Sequence, residues 1–102
     1  MKIHYKNKKD KAILTDQRKI VRYYNKSAQS IMNRLTELLA ADSLDDIPIS
    51  PPPVRHKLVG TNQWAVKYSK NYRIIFEPWG EYNINDLKSI KEIRILKLDD
   101  YH

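Results

Sequence analysis

The chain of 102 residues contains no cysteine. That excludes a disulfide framework, thiolate chemistry and zinc sites built on Cys. It has only two glycines, too few for a glycine-rich loop around a phosphate. No apolar run approaches the ~20 residues that a membrane-spanning helix needs. Met1 leads directly into a polar, basic stretch with no visible secretory leader, so the expectation is a cytoplasmic protein that does not engage membranes. Acidic residues are scarce in one region. Residues 1–40 hold ten of the 19 Lys/Arg but only three of the 12 acids, Asp10, Asp16 and Glu37. The remainder of the chain is balanced, so the net charge of +7 belongs to the N-terminal part. Such asymmetry favours a polyanionic partner, RNA or DNA first, and the plain alternative is a solvated helix face.

What is present reads as one domain, residues 1–102, with an ordinary 41% apolar and 30% charged content. Residues 2–6 alternate, with Ile3 and Tyr5 on one side, which predicts a short strand. Residues 8–13 predict a helical turn. Thr15 or Asp16 can cap a helix running to about Tyr24, with Ile13, Ile20, Val21 and Tyr24 as its buried stripe and Arg18, Lys19 and Arg22 opposite. A second helix is expected from about Ser27 to Ala41, because Ile31, Leu35, Leu38 and Leu39 recur at helical spacing. Ser43 to Asp46 suggests a capped turn. Pro48, Pro51, Pro52 and Pro53 make a stiff connector. Strands follow at 54–59, 63–68, 72–77 and 90–98, with Ser69-Lys70-Asn71 as a hairpin turn. The order β-α-α-β-β-β predicts an α+β two-layer domain, with an N-terminal strand and helices packed on an antiparallel sheet.

The last strand runs into Asp99-Asp100-Tyr101-His102, which places a carboxylate, a phenol and an imidazole together at its end. A strand that delivers these groups to its end reads as a place where proton transfer happens. His56 lies in the cationic triplet Arg55-His56-Lys57. Arg73, on a central strand, is expected near both segments, so that His56, Lys57, Arg73, Asp100, Tyr101 and His102 share one concave area. His4 reads as a surface residue. No His-x-x-x-His or similar metal-ligand spacing exists, so neither a metal nor a cofactor is expected. This set suits cleavage of RNA by its own 2′-hydroxyl, which needs a base, an acid and cations for the phosphorane. Arg grips phosphate with two donors. The structural alternative is that Arg73 pairs with Glu77 and that Tyr101 only packs.

Three segments resemble the RelE/ParE superfamily of bacterial toxins, and specifically its HigB-like branch, the plasmid-maintenance killer proteins. They are the proline connector into Arg55-His56-Lys57-Leu58-Val59-Gly60, the stretch from Trp64 to Pro78 containing Asn71-Tyr72-Arg73-Ile74-Ile75-Phe76-Glu77, and the terminal Asp100-Tyr101-His102. The resemblance implies a RelE-like fold and the toxin of a type II toxin–antitoxin system. Its implied activity is that of an mRNA endonuclease, or mRNA interferase, which cuts codons in the ribosomal A site and so inhibits translation. By similarity, His56, Asp100, Tyr101 and His102 are the acid–base and positioning residues, and Arg73 holds the scissile phosphate. Lys57 with Arg18, Lys19 and Arg22 then contacts RNA or the ribosome. The implied partners are the ribosome with its mRNA and a HigA-like helix-turn-helix antitoxin, through which alone the protein would meet operator DNA. One position departs from the family: Val59 stands where members often carry a second lysine, which leaves Lys57 as the compensating cation. The superfamily also contains ParE-like toxins that bind and inhibit DNA gyrase without cutting RNA, and these lack the His56-plus-tail set.

Overall fold

The computed structural model describes residues 1–49 and 55–100, the side chain of Asp100 excepted. Its elements are β1 (Lys2–Tyr5), α1 (Lys8–Leu14), α2 (Gln17–Tyr24), α3 (Ala28–Ala40), β2 (Arg55–Lys57), β3 (Trp64–Lys67), β4 (Tyr72–Pro78) and β5 (Glu92–Asp100). Short 3-10 turns at Asn25–Ser27, Leu44–Asp46 and Leu87–Ser89 join them. The architecture is α+β, as expected, with three helices rather than two and with the four later strands near the expected positions, one more than the order β-α-α-β-β-β counts.

Local chemistry sets the helix boundaries. The Asn7 side chain accepts from the Lys9 and Asp10 amides to start α1, and Asp16 accepts from Arg18 and Lys19 to start α2. Asn25 ends α2 with a positive φ of 47°, a conformation Asn tolerates better than most residues. Thr15 closes α1 instead of opening α2. The Ser43–Asp46 turn is capped as expected, with the Asp46 carboxylate accepting from the Ser43 amide at 3.2 Å. The C-terminal carbonyls of α3 are met from outside the helix. The Met1 ammonium donates to Leu38 (3.0 Å), Leu39 (2.8 Å) and Ala41 carbonyl oxygens, placing a positive charge at the negative end of the helix dipole. Burial pushes the pKa of that amine down, partly offset by Asp42.

The five strands form one sheet in the order β1-β5-β4-β3-β2. It is mixed rather than antiparallel, because β1 runs parallel to β5 while every other neighbour is antiparallel. The expected hairpin at 69–71 joins β3 to β4, and the turn at 60–62 joins β2 to β3. Between β4 and β5 the register slips at Ile75/Phe76: Ile75 lies opposite Lys97 and Phe76 opposite Ile95. Leu96 is the extra residue of this bulge.

The helices cover one face of the sheet. Ile13, Leu14, Ile20, Ile31, Leu35 and Leu38 meet Val66, Ile74, Phe76, Ile93 and Ile95 there. Each such side chain, fully buried, contributes about 1.5–3 kcal/mol. Two expected core residues are outside it: Val21 is 52% exposed and Leu39 59%. The periodicity assigned them to the apolar stripe, but among the described residues both remain largely exposed. The proline connector at 50–53 and Val54 lie outside the described residues.

Candidate functional site

Side chains alternate across a strand. Since Val66, Ile74 and Phe76 face the helices, their neighbours Ala65, Lys67, Arg73, Ile75 and Glu77 face the other way. Two cross-strand rows result. His56, Ala65, Ile75 and Lys97 are register partners across β2, β3, β4 and β5. Lys67, Arg73 and Asp99 form the adjacent row. β4 is the middle strand of the sheet, so Arg73, the second residue of β4, lies midway across the sheet near one end of its strands. The small Ala65 leaves the space beside His56 to longer neighbours.

Electrostatics tie these rows together. His56, half-buried on β2, has its pKa pushed below the ordinary imidazole value, first by burial and then by the charges of Arg73 and Lys67. At neutral pH the ring is therefore held neutral, with a lone pair that can accept a proton. The cations that keep it neutral are also groups that bind phosphate. Asp99, opposite Arg73, has Lys97 Nζ 3.9 Å from its carboxylate.

His56 and Arg73 lie in adjacent rows of this face, close enough for the Arg73 charge to act on the imidazole. Arg73 is not the partner of Glu77. Arg94 Nε donates to the Glu77 carboxylate at 2.6 Å, and Arg94 lies directly opposite it on β5. The Arg94 guanidinium also sits 4.1 Å from the centroid of the Trp79 ring. His4 is half-buried rather than a plain surface residue, with Nε2 2.8 Å from Glu92 Oε1. Gly80 lets Glu92 come close: its φ is +75°, and an added Cβ would lie 2.5 Å from the Glu92 carboxylate.

Lys57 does not join His56. As the next residue on an alternating strand it points to the other side, and it is exposed. Val59 is fully exposed in the turn after β2. The second cation beside His56 is Lys67, which sequence reasoning missed. Its signal was available, since a tight turn after Tyr68 pairs Lys67 with Arg73. Arg18, Lys19 and Arg22 are exposed on α2. The backbone of Asp100 pairs with Tyr72, at the Arg73 end of the sheet. Tyr101 and His102 lie outside the described residues.

No protein-family model, curated protein or solved structure matches the chain. No helix among the described residues is long and apolar enough to cross a membrane. Fold and geometry define an α+β domain whose sheet is covered by helices on one face and carries, on the other, an imidazole held neutral beside Lys67 and Arg73.

Proposed function

We propose that the protein is the toxin of a type II toxin–antitoxin system, a HigB-like mRNA endonuclease of the RelE/ParE superfamily that acts on the ribosome. The observation that carries this reading is the grouping of His56 with Lys67 and Arg73 on the sheet face opposite the helices, at the end where β5 brings Asp99 and Asp100. His56 takes the proton of the 2′-hydroxyl. The resulting oxygen attacks the adjacent phosphorus, and the bond to the 5′-oxygen breaks as that oxygen receives a proton. Arg73 and Lys67 hold the extra negative charge of the phosphorane. The resemblance gives Asp100, Tyr101 and His102 the acid and positioning roles. Basic α2 supplies sequence-independent contacts to ribosomal RNA. The partner is a HigA-like helix-turn-helix antitoxin.

The test is the chemistry of the ends. Ribosomes carrying a defined mRNA and incubated with the protein should yield fragments with a 2′,3′-cyclic phosphate and a 5′-hydroxyl. Fragments ending in a 3′-hydroxyl and a 5′-phosphate would overturn the mechanism. Growth arrest with intact mRNA and inhibited gyrase would instead identify a ParE-like toxin.

A further inference from the structure

We propose that a cleft between the end of α2 and the β3–β4 turn is a stacking site for one nucleobase of single-stranded RNA. This rests on the nuclease reading and adds to it a place where the strand is held. The cleft encloses about 340 Å3 and is lined by Tyr23, Tyr24, Tyr68 and Tyr72, with Ser27, Leu98 and the carboxylate residue Asp99 between them. Four of the seven tyrosines of the chain thus meet at one spot. Two are built into the fold and two are offered to solvent. Tyr68 is buried and stacks on Tyr72, with ring centroids 6.0 Å apart and planes 17° from parallel. Tyr72 is nevertheless 42% exposed and Tyr23 57% exposed. Core packing does not require rings in such positions.

The chemistry of the walls selects the ligand. Flat aromatic faces with phenol groups at their edges match a flat heterocycle whose own edge donates and accepts hydrogen bonds. The cations near the cleft are neighbours of its tyrosines in sequence, whereas the charged group in its lining is the Asp99 carboxylate. Arg22 and Lys26 bracket the Tyr23–Tyr24 pair, and Arg73 follows Tyr72 on β4. Aromatic platforms between cations are how proteins hold single-stranded nucleic acid without reading a long sequence. Tyr72 and Arg73 point to opposite faces of β4. A strand gripped at Arg73 would therefore round the end of the sheet to reach the cleft.

The probe is a 2′-O-methyl tetranucleotide, which lacks the attacking hydroxyl and stays intact. It is titrated into the full chain while the tyrosine and histidine ring signals and the Lys67 and Arg73 side-chain signals are followed by NMR. Ring resonances of Tyr23 and Tyr72 should move most. Tyr72→Leu and Tyr23→Leu should each weaken binding about tenfold or more, with Tyr72→Phe near wild type, since stacking survives loss of the hydroxyl. Tyr23 lies on the helix surface, so its variant keeps the test valid if Tyr72→Leu disturbs the fold. Shifts confined to His56, Lys67 and Arg73 would overturn the cleft and leave the nuclease reading standing. No shift anywhere would overturn the cleft and count against RNA as the ligand of either site.

Discussion

On β4, Ile74 and Phe76 face the helices and are sealed, whereas Arg73 and Glu77, one residue away on the same strand, face outward and are half-buried. On one face cohesion comes from packed hydrocarbon. On the other, the Glu77–Arg94 pair and the imidazole-and-cation rows hold charges in fixed positions. The sealed face can change only at the expense of stability. The outward face gathers His56, Lys67 and Arg73, with the Asp99 carboxylate opposite Arg73.

Substitutions can break this contrast. The largest effect belongs to the sealed face. Phe76→Ala should cost about 3–5 kcal/mol, read from denaturant midpoints, with cleavage falling only in step with the unfolded fraction. Arg73→Ala should do the reverse, lowering cleavage by about 10²–10³ with a nearly unchanged melting temperature. If Arg73→Ala unfolds the protein, the outward face is structural after all. Third, Arg18→Glu, Lys19→Glu and Arg22→Glu together should weaken ribosome binding and flatten its dependence on salt by roughly 2–3 units of log–log slope. An unchanged salt profile would make that side of α2 an ordinary solvated surface. Asp16→Ala should cost about 1 kcal/mol by removing the cap of α2, and leave cleavage per folded molecule intact. The smallest effect sharpens the outward face. The His56 pKa is lowered in the folded state, so the unfolded chain binds more protons as pH falls through about 6.5. Wild-type stability should therefore decline on acidification through that window, while His56→Gln should decline less. Equal slopes in a urea titration at several pH values would remove the electrostatic account of His56.

The alternation of β3 and β4 was legible because each apolar residue on one side had a clear partner on the other. Trp64, Val66 and Tyr68 were assigned to one face, and Val66 and Tyr68 are buried there. Helix starts at Asp16 and the turn at Ser43 were legible because short polar side chains have few other roles at such positions. Val21 and Leu39 were misassigned because periodicity identifies a face without saying what covers it. Lys57 was misassigned for the opposite reason. Its closeness to His56 in sequence outweighed the rule that successive strand residues diverge. Lys67 required register as well as pattern. The parallel pairing of β1 with β5 leaves no local trace, since nothing near either strand announces a partner most of the chain away. Tyr101 and His102 were singled out by the chemistry of the strand end and by the resemblance, and both lie outside the described residues.

That pairing also shapes how the molecule forms. Ile3 lies beside Ile93, and β5 separates β1 from β4. The helices between them can assemble early from contacts close in sequence. The sheet cannot close until β5 arrives, and closing so long a loop carries a large entropic cost before any contact repays it. Folding should therefore be slow relative to helical domains of this length, with β1 and the core face of the helices exposed in the meantime. A variant that weakens Ile93 or Ile95 would reveal itself in refolding rate if this closure is the barrier. In a cell, the same delay means that a nascent chain on the ribosome carries its helices before it owns a finished sheet.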